Sequence, residues 1–372
     1  MSVDINDAAA LRQAETQQLF DQLARCGELC RQGLEQALEL PVPTPTSTPA
    51  SASVSASASA SAGGGSIHEI VLCSVGGGPV AALRQLSSML SDTARIPVVL
   101  HQGYHMPAYV DAHSLVFIVN YSGGSEEIVS AYRSAIEAGA QVAAITAGGA
   151  IAELARQRGD LLFMLPAGQI PRVLSTSHVL VPALSILHRL GIIPDPAPAV
   201  SETIALLQEL APQYAPESAL DANPAKQLAA EMDGLIPLAY GTVPFTDSAA
   251  YRLKYQLAEN SRKMAFAGAM SALHHDEAYG WDEPGMARFH VTLIADAEDH
   301  ERMARRIEAT AEVLQTRAGG VRIVRSTGES RLARLCSLTY LFDYATVYAA
   351  LLQGPVLGGG QALNAFRAAL NR

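Results

Sequence analysis

Between residues 67 and 190 the chain alternates short, almost wholly apolar runs with longer segments whose apolar residues recur every three to four positions. The short runs lie at 67–74, 97–101, 114–120, 141–147 and 161–165. Runs this apolar are buried on both faces, which predicts strands of a parallel sheet. The segments 79–90, 126–138, 151–158 and 171–190 have the spacing of helices that cover such a sheet. The alternation resumes less cleanly after residue 200. Helices are predicted at 200–210, 226–232, 248–264, 300–317, 331–352 and 362–371, and strands at 235–239, 289–295 and 321–324. Between the two stretches stand Pro194, Pro196 and Pro198, so a domain boundary is predicted at 191–199. The expected fold class is α/β, with two doubly wound α/β/α domains in tandem at 67–192 and 200–372.

The N-terminal residues 1–40 read differently. Leu11, Leu19, Leu23, Cys26 and Cys30 recur at helical spacing and predict an amphipathic helix or helix pair. Residues 41–66 are Pro/Thr-rich, then alternate Ala and Ser, and end in Gly63, Gly64 and Gly65. Such a segment buries too little apolar surface to offset its ordering entropy, so it is expected to be a flexible linker. The helical segment could contact a partner or be a tethered piece of the fold.

Charge narrows the function classes. The net charge is −10 and there is no Lys/Arg run, which argues against nucleic acid or a membrane surface as partner. The beginning of the chain lacks a basic region followed by an apolar one, and no uninterrupted apolar stretch reaches ~18 residues. A cytoplasmic protein with reduced thiols is expected. The four cysteines match no zinc spacing, and Cys26 and Cys30, one helical turn apart, read as buried packing residues.

Five segments carry candidate chemistry. Tyr121-Ser122-Gly123-Gly124-Ser125-Glu126-Glu127 joins a strand to a helix. Its glycines permit close backbone approach, and the helix start offers N–H groups and a dipole to an anion. The same residues also suit a plain N-cap, with Ser125 capping. Position at the carboxyl end of a central strand favours the anion. Ser74-Val75-Gly76-Gly77-Gly78-Pro79 follows the first strand but has neither dinucleotide nor Walker spacing. Leu165–Arg172 lies between a strand and a helix, where Arg172 opposes the helix dipole and so needs a local reason. Residues 251–263 carry charge of both signs, as an exposed salt-bridged helix would. His274-His275-Asp276-Glu277, near Trp281, offers metal or acid/base groups or a polar turn, and adjacent residues rarely supply a zinc geometry. His101 and His105 are expected in a loop, since Gly103 interrupts their spacing.

Together these segments resemble the bifunctional phosphoglucose/phosphomannose isomerase family, built from two sugar-isomerase (SIS) domains, from about Ile67 to Arg372. Tyr121–Glu127 is similar to the family's Ser-Tyr-Ser-Gly-Asn-Thr-Glu-Glu phosphate loop, and Gly76–Gly78 to its first glycine-rich loop. Leu165–Arg172 is similar to Leu-Pro-x-Gly-x-x-Pro-Arg, and Arg252–Lys263 to Arg-x-Lys-x-Gln-x-x-Glu-Asn-x-Lys. His274–Glu277 is similar to Asn-His-Asn-Glu, and Asp343–Tyr348 to Asp-Tyr-x-Ser-Val-Tyr.

The resemblance implies aldose–ketose isomerisation of a hexose 6-phosphate with no cofactor and no metal. It implies Glu259 as the base between C1 and C2, His275 as the ring-opening acid/base, and Arg172 as the cation on the cis-enediolate. Ser122, Ser125, Gly76, Gly77 and Gly78 are implied at the substrate, and a homodimer is implied because the family's second subunit completes the site. Four departures stand in that implied site. Arg367 replaces a ring-opening lysine, and no lysine follows Lys263. Gly78 replaces a serine, His274 and Asp276 replace asparagines, and Gly358-Gly359-Gly360 replaces polar residues. The alternative they raise is an impaired SIS protein that binds a sugar phosphate and acts as a regulator or sensor.

Overall fold

The N-terminal apolar repeat folds as three helices, α1 (Ala8–Ala14), α2 (Leu19–Ala24) and α3 (Cys26–Glu39). The side chain of Asp7 caps α1 by accepting from the Ala10 amide, and the chain turns at Arg25 between α2 and α3. The computed structural model describes residues 3–15, 18–42, 66–166, 168, 173–354 and 360–370, so nearly all of the expected linker lies outside the described residues.

These helices are part of the fold and touch both halves of the chain. Tyr340 donates to the Leu23 carbonyl at 2.8 Å, and Phe20 packs against the rings of Tyr344 and Tyr348. Arg12 pairs with Glu217 at 2.5 Å. On the other side, Gln36 donates to the Met164 carbonyl at 2.7 Å and Arg189 to that of Ala37 at 2.9 Å. Cys26 and Cys30 are buried in the same core, as apolar side chains would be.

The first sheet contains β1 (Glu69–Ser74), β2 (Val98–His101), β3 (Ser114–Val119), β4 (Gln141–Thr146) and β5 (Leu161–Met164), all parallel, in the order β2-β1-β3-β4-β5. Every residue of β3 is buried, which is why its sequence reads as a continuous apolar run. Helix α4 (Gly77–Leu90) covers one face; α5 (Glu126–Glu137) and α6 (Gly149–Arg158) cover the other. His101 is the last residue of β2, as the apolar run 97–101 predicts, so of the two histidines expected in a loop only His105 lies in one. The uniform helix expected over 171–190 is corrected as well. Its described part is a π-helical stretch, Ser175–Leu180, running into α7 (Val181–Arg189).

The proline-rich stretch starts a helix, α8 (Ala197–Tyr214), with Pro198 in its first turn. After α9 (Pro224–Glu231) comes a second parallel sheet of β6 (Ile236–Gly241), β7 (Phe266–Ala269), β8 (Phe289–Ala295) and β9 (Gly320–Arg325), in the order β7-β6-β8-β9. Strand β7 escapes the apolar pattern because Phe-Ala-Gly-Ala is short, small and on the sheet edge. Helix α10 (Asp247–Ser261) lies on the face toward the first half. The single turn α11 (Met270–Leu273) and α12 (Glu301–Leu314) lie on the opposite face.

Helix α13 (Arg331–Leu352) is long and apolar enough to cross a membrane by length and composition. Here every residue from Leu332 to Leu351 is buried, so it is the central core helix. It packs on α8, α9 and α10. In α14 (Gln361–Leu370) every residue is exposed.

Candidate active site

In the first sheet the chain leaves β1 toward β2 and returns on the other side as β3. Ligands of doubly wound folds bind at the carboxyl ends of strands where the order reverses in this way. Ser74 and Val119 end β1 and β3 in register, and the Ser74 hydroxyl donates to the Val119 carbonyl at 2.6 Å. The two glycine-bearing loops therefore emerge side by side, about 5 Å apart by strand spacing.

The loop after β3 is organised by Asn120, which sequence reasoning passed over as the end of a strand. Its amide donates to Ser125 Oγ at 2.8 Å, and its Oδ1 accepts from Ser122 Oγ at 3.1 Å. Ser125 occupies the N-cap position of α5, yet its hydroxyl makes no capping bond. The N-cap reading is thus corrected: Asn120 holds the hydroxyl aside, and the first amides of α5 remain available to an anion. Gly123 has φ +66°, and a Cβ there would stand 2.6 Å from the Gly148 carbonyl carbon and 2.8 Å from Thr146 Oγ1. Only glycine fits that crossing of two loops.

The first glycine-rich loop opens α4. Gly76 has φ +88° and stands at the N-cap, while the Gly78 carbonyl accepts from Ser175 Oγ at 3.1 Å. The decisive neighbour is Glu259, near the end of α10. A Cβ on Gly77 would collide with Glu259 Oε1, and would lie 3.0 Å from its Cδ and 3.1 Å from Tyr255 Cβ. A carboxylate from the second half thus rests on bare backbone of the first, one strand from the loop holding Ser122 and Ser125. Glu259 is exposed, and among the described residues no hydrogen-bond donor holds its carboxylate.

The reading of 251–263 as an exposed charged helix is corrected. Arg252, Gln256 and Asn260 are buried against α13, and only part of the polar face meets solvent. His275 is exposed, in the segment that returns along the α12 face of the second sheet. Its neighbour His274 contacts Thr310 at 2.7 Å, and burial, then Arg306 and His275, lower the His274 pKa. Helix α10 packs on the other face of that sheet, so Glu259 and His275 belong to segments that cover opposite faces. Arg367 is exposed on α14. Arg172, Gly358 and Gly359 lie outside the described residues. Among the described residues no cluster of three metal-ligating side chains occurs. An apolar cavity of about 210 Å³, lined by Leu273, His274, Trp281, Thr310 and Leu314, lies on the α12 face, away from Glu259.

Comparison with known proteins decides the family. A family model, the bacterial phospho-glucose isomerase C-terminal SIS domain, matches residues 221–355. The bifunctional phosphoglucose/phosphomannose isomerase of Caldicellulosiruptor bescii is 35% identical over 288 residues, covering 77% of this chain and 84% of that protein. The chain belongs to the bifunctional phosphoglucose/phosphomannose isomerase family. The family member of Aquifex aeolicus is 30% identical over 286 residues, covering 77% of this chain and 85% of the relative. A solved structure, a glucose-6-phosphate isomerase like protein from Thermus thermophilus, superposes with TM-score 0.52 at 19% identity over 93% of this chain and 98% of that one. That likeness concerns the fold, the tandem SIS-type α/β architecture. Sequence reading did not single out Asn120, the residue that ties Ser122 to Ser125. A polar residue ending an apolar strand is the one signal that marks Asn120.

Proposed function

We propose that the chain is an aldose–ketose isomerase of hexose 6-phosphates, interconverting glucose 6-phosphate and fructose 6-phosphate, with mannose 6-phosphate as a further substrate. The observation that carries this reading is the Glu259 carboxylate on Gly77, beside the anion loop of Ser122 and Ser125. The loop amides and hydroxyls hold the phosphate, with Gly76, Gly77 and Gly78 lining the sugar chain. Glu259 takes the C2 proton of the open aldose and returns it to C1 of the cis-enediolate, while one hydroxyl proton passes from O2 to O1, giving the ketose. Arg172 stabilises the enediolate charge, and His275 and Arg367 assist ring opening. A carboxylate suits a proton shuttle between adjacent carbons, and a fixed cation is most effective where water is excluded. No metal takes part in this scheme.

The proposed assembly is a homodimer. His275 lies in the segment on the α12 face, opposite α10 and Glu259, and in the proposed dimer it serves a second copy's site. Leu363, Phe366 and Leu370 present an exposed apolar stripe, 48%, 67% and 77% exposed, for a second chain to cover.

A coupled assay with purified protein tests the reading. Turnover of fructose 6-phosphate to glucose 6-phosphate that survives dialysis against a chelator, and is lost in Glu259→Gln, is the expected result. Phosphosugar binding without turnover would instead favour a sensor, the reading that Arg367 in place of a ring-opening lysine supports. No binding of any hexose phosphate would sink both.

A further inference from the structure

Helix α10 presents two different faces. Tyr255 and Glu259, one turn apart, point toward Gly77. Arg252, Gln256 and Asn260, offset by about 100° around the helix, point into the core. They are only 1%, 3% and 2% exposed. All three meet α13. Arg252 Nε and Nη2 donate to the two oxygens of Asp343 at 2.9 and 2.8 Å, a bidentate fork. Gln256 Nε2 donates to Asp343 Oδ1 at 2.7 Å. Asn260 Nδ2 donates to Thr346 Oγ1 at 2.9 Å, and that hydroxyl donates to the Asp343 carbonyl at 3.0 Å.

This polar strip lies within otherwise apolar packing. Leu253 and Leu257 of α10, and Phe342, Ala345 and Val347 of α13, share the surrounding core. Apolar contacts alone tolerate sliding and rotation of one helix on another. A fork to one carboxylate, backed by two further bonds along α10, permits a single register. Buried polar contacts between helices are best attested in this role, fixing register at some expense of stability.

We propose that Asp343, seconded by Thr346, is a positioning residue that sets the rotation and axial register of α10, and thereby holds the Glu259 carboxylate over Gly77. Asp343 touches no substrate. It acts through Arg252 and Gln256. This rests on the reading of Glu259 as the base.

The test uses three full-length proteins. Asp343→Asn weakens the fork at nearly constant shape. The triple variant Arg252→Met/Gln256→Leu/Asp343→Leu replaces the strip by apolar side chains, a change that often leaves stability intact. Glu259→Gln is measured beside them. The triple variant is expected to melt close to the parent and to keep KM for fructose 6-phosphate within about threefold, because the anion loop belongs to the first sheet. Its kcat is expected to fall at least tenfold, with Asp343→Asn intermediate. Combined with Glu259→Gln, neither change should lower the residual rate further, which a general structural defect would do.

A folded triple variant with parental kcat, or Asp343→Asn with parental kcat should the triple not fold, overturns the proposal. Loss of kcat matched by an equal rise in KM also overturns it. If Glu259→Gln is inactive while the strip variants keep kcat, only the positioning role falls. If Glu259→Gln keeps kcat, the base assignment falls and the role falls with it.

Discussion

The carboxylate of Glu259 occupies the space that a side chain on Gly77 would fill. The two residues come from different halves of the chain, 182 positions apart in sequence (259 less 77). In the proposed isomerase their contact makes this helix start the floor of the site. Gly77→Ala tests it. The Gly77 backbone is not in the left-handed region, so alanine is tolerated by the chain. The added methyl displaces the end of the flexible, exposed Glu259 side chain and presses on Tyr255 Cβ, 3.1 Å away, which must give by a few tenths of an ångström. A fall in kcat of about ten- to a hundredfold is expected, with little change in Tm. A displacement costing about 1.4–2.7 kcal/mol at the transition state corresponds to that range.

Ser122→Ala and Ser125→Ala should act on binding. A hydrogen bond to a charged group is worth about 1.5–3 kcal/mol. The expected effect is therefore a rise of about ten- to a hundredfold in KM for fructose 6-phosphate, and a matching rise in the inhibition constant of inorganic phosphate. Steady-state kinetics with phosphate as competitor measures both.

Two adjacent glycines should respond oppositely. Gly123 has a positive φ and is wedged against the Gly148 carbonyl, whereas a Cβ on Gly124 would meet nothing within 4 Å. Gly123→Ala is expected to destabilise the protein by about 2 kcal/mol or more through strain and overpacking. Gly124→Ala should stay within about 1 kcal/mol of the parent. Denaturant titrations of the two variants provide the comparison.

Acid should weaken the fold through His178. This side chain is 3% exposed in the π-helical stretch, and burial pushes its pKa down to about 4. An unfolded-state histidine titrates near 6.5. Between these values the unfolded chain binds a proton that the folded chain refuses. Stability contributed by neutral His178 is thus complete above about pH 6.5 and falls as pH drops toward 4, where the loss levels off. At about 1.4 kcal/mol per unit the loss is on the order of 3 kcal/mol. Urea midpoints at pH 7 and 4.5 should differ accordingly, and His178→Phe should flatten the difference.

The first sheet was legible because each of its strands is buried on both faces and reads as an unbroken apolar run. Asn120 was not, since a single polar residue at a strand end gives no pattern until its amide is seen between Ser122 and Ser125. Strand β7 was missed for lack of bulky residues, and its place in the sheet comes from pairing with β6. The helix at 251–263 misled for a physical reason. Charge on a helix usually means solvent, and nothing local reveals that Asp343, in a helix 91 residues after Arg252, neutralises that arginine in the core. The Glu259–Gly77 contact is likewise non-local, and only family resemblance pointed to Glu259 beforehand.

Deuterium incorporation measures the central claim most directly. Fructose 6-phosphate is incubated with protein in D₂O and followed by proton NMR. A carboxylate relaying a proton between C1 and C2 exchanges part of it with solvent, so deuterium should appear at C2 of the glucose 6-phosphate formed. With Glu259→Gln, isomerisation and exchange should both disappear while phosphosugar binding persists. Isomerisation and exchange at parental rates in Glu259→Gln would contradict the account.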